Sequence, residues 1–314
     1  MAIDPIDQNL LGCIIREDYT LESDARIMQE TGQSVLWRAS ATSFSGRWAQ
    51  LQSLGVTGIF LFNRYQKFRK LVPHWQKRGT CVSRGFHQAL QHSYLWSLAE
   101  FVAVGEPVEI AYEPIYAGSR VYIGKGQLGS SDGSVGSWAG EWLAKYGAAV
   151  RGKYGAADLS SDSESWAVEY GKPGKVMPAS LMEHMAQHTC AVHRVESNDE
   201  IADAIASGFG VARCWDTLFG NRDANGMSKP ANKGAHCQAI VGVFLQPSGK
   251  LGFVELQSWG PNMPSGPNVL QTAGGPVLLP AGCYGVDARD YLKAQQSRWW
   301  EAHVVAVRAG NEWN

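Results

Sequence analysis

A mixed α+β fold is predicted for the 314 residues, on three observations. Apolar residues fall three and four apart from Cys81 through Leu90, Leu95 and Leu98, the period of a core-facing helix. Short β-branched and aromatic runs separated by turn residues fill the chain beyond residue 210. The helical and strand-rich shares occupy different stretches, as expected of helices segregated beside an antiparallel sheet. The predicted organisation is an N-terminal extension (1–65), a helical half (66–184) and a strand-rich half (185–314).

Taken in order, the extension carries one strand-like run, Val56 to Phe62. It is expected to pack on the body and to stay attached, not to be excised. The helix opened by Cys81 is predicted to stop near Gly105 and Pro107. Residues 123–136 are rich in Gly and Ser and contain a Gly-x-Gly. No strand-to-helix unit with a matching acidic residue follows, so they are expected to form a loop and not a phosphate cradle. A second helix is expected from Trp138 to Tyr146, with Trp138 and Trp142 on one face. Ser197 and Glu200 form a capping box before a short helix, Ile201 to Ala206, that Gly208 closes. Strands follow at 210–215, 237–245 and 252–256. The last two are joined by the turn residues Pro247 to Gly249 as a hairpin, and a further strand is expected from His303 to Arg308.

Composition excludes several classes of function. Lys and Arg total 28 against 29 Asp and Glu, a net charge of −1 with no basic run, so neither nucleic acid nor an anionic membrane is an expected partner. No stretch approaches 18 apolar residues, and the start lacks the charged and apolar regions of a signal peptide. Synthesis in the cytoplasm is the expectation. The six cysteines show no paired local spacing and are expected to be free thiols. His184, His188, Cys190 and His193 lie close together, but their spacing fits no common zinc site, so no metal or cofactor is assigned.

Three separated stretches supply the parts of a cysteine nucleophile site. Cys81 opens a helix, where orphan backbone N–H groups and the helix dipole favour the thiolate. His236, after Gly234, follows 155 residues later, and Gln257 precedes Ser258, Trp259 and Gly260. The predicted hairpin puts His236 at the start of one strand and Gln257 at the end of its antiparallel partner, which makes them neighbours. An imidazole beside the thiol would stabilise the thiolate as an ion pair and protonate a leaving amine. Cys237 alternates to the opposite face of the strand and is expected in the core.

At these residues the chain resembles the papain and cathepsin family of cysteine peptidases. The resemblance rests on Gly79 and Cys81, on Asp132 and Gly133 leading to Tyr146 and Gly147, on Gly234 and His236, on Gln257 to Gly260, and on Gly282 to Gly285. It implies a two-domain papain-like fold with a helical domain and a β-barrel-like domain meeting at a cleft. It also implies acyl transfer on a peptide or amide, without a cofactor. Cys81 would be the nucleophile, His236 the acid and base, Gln257 the orienting amide and Gln76 an oxyanion donor beside the Cys81 N–H. Asp132, Gly133 and Trp259 would line the substrate cleft.

The chain departs from the family at three points. Gln257 replaces an Asn, Gln76 stands five residues before the nucleophile where the family has six, and Arg84 replaces a small residue. The longer Gln257 side chain predicts a long or absent contact with the imidazole. Arg84 is expected either to lower the thiol pKa or to plug the cleft. The competing expectation is a papain-like fold kept for structural work among other structural proteins, for example in a bacteriophage particle.

Overall fold

In a computed structural model the described residues are 12–14, 17–31, 45–68, 71, 75–100, 107–295, 300–307 and 313. The extension holds more helix than its sequence suggests. Strand β1 (Cys13–Ile14) precedes helix α1 (Glu17–Thr31), and α2 (Arg47–Ser53), β2 (Gly58–Phe60) and α3 (Phe62–Phe68) follow. The run predicted as one strand thus keeps three strand residues and becomes helical at Phe62. Charge fixes α1 to the body: Arg26 donates to Glu141 at 2.8 and 3.0 Å, Lys145 to Glu30 at 2.6 Å, and Arg194 pairs with Asp24 at 3.0 Å. Helix α2 is anchored by Asp203, which accepts from the backbone N–H groups of Gly46 and Trp48 at 2.7 and 2.9 Å.

The helical share centres on α4 (Cys81–Glu100). The stop predicted for it near residue 105 lies outside the described residues. Around it come β3 (Ile110–Ala111), α5 (Glu113–Gly118) with a π-helical turn at Ser119–Ile123, β4 (Ser134–Val135) and α6 (Gly136–Lys145). The short strands β5 (Ala149–Val150), β6 (Lys153–Tyr154) and β7 (Ala157–Asp158) lead to α7 (Glu164–Tyr170) and α8 (Ala179–Ala186). Ser163 caps α7 by accepting from the Trp166 N–H.

The strand-rich share begins with β8 (Cys190–Val195) and α9 (Asn198–Ala206), whose N-cap is Ser197, as its capping box predicts. Then come β9 (Val211–Phe219), β10 (Met227–Ser228), β11 (Pro230–Leu245), β12 (Leu251–Leu256), the β13–β14 hairpin (Val269–Thr272, Gly275–Leu278), β15 (Cys283–Asp287), α10 (Ala288–Gln295) and β16 (Trp300–Val307). The main sheet runs β10-β15-β12-β11-β9-β16-β8, with β2 joined to the end of β11. It is open, and the barrel-like closure expected from the sequence is absent among the described strands. Helices cover both faces instead, so closure is not needed to bury the sheet. Ala239 and Val241 of β11 face a core built with Phe86 and Leu90 of α4, whereas Ile240 faces a second core with Ile201 and Ile205 of α9.

Candidate active site

The candidate residues converge where the first turn of α4 meets β11. Cys81 is fully buried, and its Sγ accepts from the backbone N–H of Cys237, the residue after His236. The nucleophile thus meets the chain one residue beyond the candidate acid and base. They do not form the expected ion pair. Neither ring nitrogen of His236 has a hydrogen-bond partner among the described residues. Burial pushes the Cys81 thiol well above its ordinary value and, with Arg213, holds His236 down to about 3. The thiolate predicted from the helix terminus is thus overruled by desolvation, and both groups are neutral.

The reason lies in β1. A second backbone N–H, that of Gly12, also points at the Cys81 thiol. The Gly12 carbonyl accepts from Ser134 N at 2.7 Å, and Cys13 and Ile14 pair in parallel with Ser134 and Val135. Three glycines make the fit possible. A Cβ on Gly12 would lie 2.0 Å from the Gly79 carbonyl, and one on Gly133 would lie 2.5 Å from the Gly12 carbonyl. Gly133 also has φ +101°, which L side chains avoid. An extended segment of the chain's own backbone thus fills the groove between Gly79 and Gly133. Asp132, beside it, pairs with Arg78 at 3.8 Å.

Gln257 sits at the end of β12, one residue beyond the Ala239–Leu256 pair. The strand of His236, however, starts upstream at Pro230, not at His236 as expected. The Gln257 amide makes no bond to the imidazole. Its Nε2 donates to the carbonyls of Gly260 (3.0 Å) and Met263, and its Oε1 accepts from Trp259 N–H. What packs on the imidazole is Trp259, with ring centroids 4.0 Å apart and 21° between the planes. A small depression opens behind Gln257 between Phe219, Gln238, Trp259 and Tyr284.

Gln76 is buried next to the same segment. Its N–H donates to Ser258 O at 2.8 Å, its Oε1 accepts from the Ser258 hydroxyl, and its Nε2 donates to Arg78 O at 3.1 Å. The amide nitrogen expected as an oxyanion donor is therefore bound to the backbone of its own loop. Arg84 neither reaches the thiol nor plugs the groove. Its guanidinium meets Asp162 at 2.9 and 3.2 Å and lies 3.9 Å from the Tyr112 ring centre. Glu164 completes that cluster by accepting from Lys77 N–H at 3.0 Å and from the Thr80 hydroxyl at 2.9 Å. Spacing along the chain carries no signal for Asp162 or Glu164, because their partners lie about 80 residues away.

The histidine cluster is structural. His184 Nε2 accepts from Val150 N–H at 3.2 Å and contacts Tyr154 OH at 3.0 Å, and the rings of His184 and His188 meet with centroids 4.4 Å apart and 58° between their planes. Among the described residues no group of three or more candidate ligands could hold a metal ion. No described helix is long and apolar enough to cross a membrane.

No protein-family model matches the chain, and no curated protein matches it in sequence. Solved structures do. Xylellain, a cysteine protease from Xylella fastidiosa, is similar over 98% of this chain and 100% of its own, with a TM-score of 0.55 at 12% identity. The ragweed pollen cysteine protease Amb a 11 in its proform is similar over 82% of this chain and 60% of its own, with a TM-score of 0.51 at 13% identity. At such identities the likeness speaks for architecture alone, and the architecture of this chain is the papain-like α+β fold.

Proposed function

We propose that the chain is a papain-like cysteine peptidase or amide hydrolase held in a closed state by its own strand β1. One observation carries this: an extended peptide, residues 12–14, lies in a backbone-lined groove with an N–H against the thiol of a helix-opening cysteine. A groove that holds one extended backbone can hold another. When β1 withdraws, water reaches Cys81 and His236, and the desolvation that keeps both neutral is relieved. Cys81 then passes its proton to His236, and its sulfur attacks the carbonyl. His236 protonates the leaving amine and afterwards takes a proton from the water that frees the acid. The Cys81 N–H stabilises the oxyanion. Gln257 acts at one remove, by fixing the turn that carries Trp259 against the imidazole. Substrates are peptides or proteins, no cofactor takes part, and the cytoplasm is the site of synthesis.

A second reading is favoured by the unpartnered His236 ring and by the diverted Gln76 and Gln257 amides. In it the site is silent, and the fold serves assembly with other structural proteins, as in a virion. Gly12→Val separates the two, since any side chain there collides with Gly79 and must dislodge β1. For a peptidase, the variant gains reaction of Cys81 with a peptide-based thiol electrophile by about 100-fold over wild type, together with peptide hydrolysis. An exposed Cys81 that reacts only as an ordinary thiol, with no hydrolysis, identifies the silent fold.

A further inference from the structure

Arg120 lies in the π-helical turn at Ser119–Ile123 and is 4% exposed. Arg26, Arg84, Arg151 and Arg213 each meet a carboxylate. Arg120 instead turns all three of its nitrogens on main-chain carbonyls: Nε on Gly171 at 3.0 Å, Nη1 on Gly133, and Nη2 on Gly129 and Ser131 at 3.1 and 2.7 Å. Three of those four carbonyls belong to the loop that runs into β4. The preceding residue adds a further tie, since Ser119 Oγ lies 2.7 Å from Ser134 Oγ and donates to Tyr116 O at 3.0 Å. Two consecutive residues of one π turn thus serve the same loop, and such turns gather at functional sites.

What the loop presents is the edge that holds β1. Gly133 leads directly into Ser134, whose N–H donates to Gly12 O at 2.7 Å, and Ser134 and Val135 pair with Cys13 and Ile14. The loop has little stiffness of its own. Gly129 and Gly133 both sit at positive φ, +56° and +101°, on backbone that is free to take many other conformations. Charge-assisted bonds from a buried guanidinium are strong and directional, and they supply the stiffness that the glycines lack.

We propose that Arg120 is a positioning residue for extended peptides. By holding the carbonyls of Gly129, Ser131 and Gly133 it sets the Ser134 N–H as a fixed main-chain donor, on which β1 and a substrate pair in turn. For substrates the role rests on the peptidase reading; for β1 it does not. The bonds of Arg120 go to the loop and to Gly171, not to Cys81 or His236. It therefore acts on binding and not on the chemical step, and only on peptides long enough to reach β4.

The test compares the full-length wild type with Arg120→Met, which keeps most of the volume and removes the donors. Native-state amide exchange of residues 12–14, 134 and 135 should quicken about tenfold or more, while β9 and β11 keep their rates. In the Gly12→Val chain, where β1 is dislodged, a fluorescein-labelled synthetic peptide of residues 9–16 should bind about 10- to 100-fold more weakly once Arg120→Met is added. For hydrolysis by the Gly12→Val chain, Arg120→Met should raise KM for a peptide of several residues by a similar factor with kcat unchanged, and should leave a single-residue amide unaffected. Unchanged exchange at 134 and 135, unchanged peptide affinity, or exchange that quickens equally in β9 and β11 overturns the proposal. Arg120→Lys, which keeps the charge and loses the planar fork, carries the same comparisons if Arg120→Met does not fold. Peptide affinity that falls while no chain hydrolyses anything upholds the positioning role and removes the peptidase. Hydrolysis in which short and long substrates suffer alike removes the positioning role alone.

Discussion

Arg84 and Arg213 are both buried arginines within reach of the site, and they are held in opposite ways. Arg84, on the nucleophile side, spends its guanidinium on Asp162, whose side chain is 44% exposed. Arg213, on the histidine side, meets Glu255 at 2.5 Å with both side chains fully buried. Around that pair Gln238 accepts from Arg213 at 2.7 Å, and Tyr284 donates to Glu255 at 2.6 Å, as does Tyr291. The first cluster can exchange its partner for water. The second cannot, so the wall that carries His236 is rigid by necessity, while the loop before Cys81 is adjustable.

The largest effect expected from that difference is at Glu255. Glu255→Gln leaves the Arg213 charge buried without its counter-charge, which costs about 3–5 kcal/mol. Urea denaturation should show an unfolding free energy lowered by that amount. A loss under about 1 kcal/mol would mean that water enters the cluster, and the two sides of the site would then be alike.

Glu301 sharpens the contrast from a third direction, being a buried acid with no ion-pair partner among the described residues. It accepts from Thr20 Oγ1 at 2.9 Å and from Ser137 N–H at 3.2 Å, and burial pushes it from 4.5 up to about 7. The fold therefore binds this proton more tightly than the unfolded chain does. Its stabilising contribution is complete below pH 4.5 and is lost as pH rises through about 7. A shift of that size corresponds to about 3 kcal/mol. Asp24, raised to about 6 by burial, acts in the same sense nearby, while His303 on the same strand, held at about 3, acts in the opposite sense at lower pH. The difference in stability between wild type and Glu301→Gln isolates the single group. It should fall steadily between pH 4.5 and 7, and a flat difference would show that the carboxyl is hydrated. Because Thr20 belongs to α1, loosening should begin where the extension docks.

The chain order of the candidate residues was legible because their markers are local: a helix opening at Cys81, paired strands β11 and β12 that carry His236 and end just before Gln257, and a capping box at Ser197. What escaped was everything decided by distant partners. The Cys81 thiol is neutral because Gly12, nearly 70 residues upstream, covers it, and no local pattern announces that pairing. Helix α1 was missed because weak amphipathicity hid it and ion pairs with Glu141 and Lys145 hold it. The Gln257 amide turned away because its extra methylene reaches the carbonyls of Gly260 and Met263, where a shorter side chain would stop. The sheet stayed open because α9 and α2 cover a face that a barrel would have closed upon itself.

The smallest expected effect lies on the adjustable side. Arg84→Met keeps most of the buried volume and removes the charge. Asp162, already half in water, is then rehydrated instead of stranded, so the loss is about 1–3 kcal/mol, mainly the charged hydrogen bonds and the contact over Tyr112. Glu164 still accepts from Lys77 N–H and Thr80, so the loop before Cys81 keeps its path while losing the brace that Arg84 gives to Thr80 at 3.3 Å. Amide hydrogen exchange of residues 77–81 should therefore quicken in Arg84→Met while that of β9 and β11 stays unchanged, and the urea midpoint should move less than in Glu255→Gln. If instead Arg84→Met matched Glu255→Gln in cost and loosened the whole sheet, Asp162 would have to be as desolvated in solution as Glu255. The nucleophile side would then be as rigid as the histidine side, and withdrawal of β1 alone would have to account for every motion the site needs.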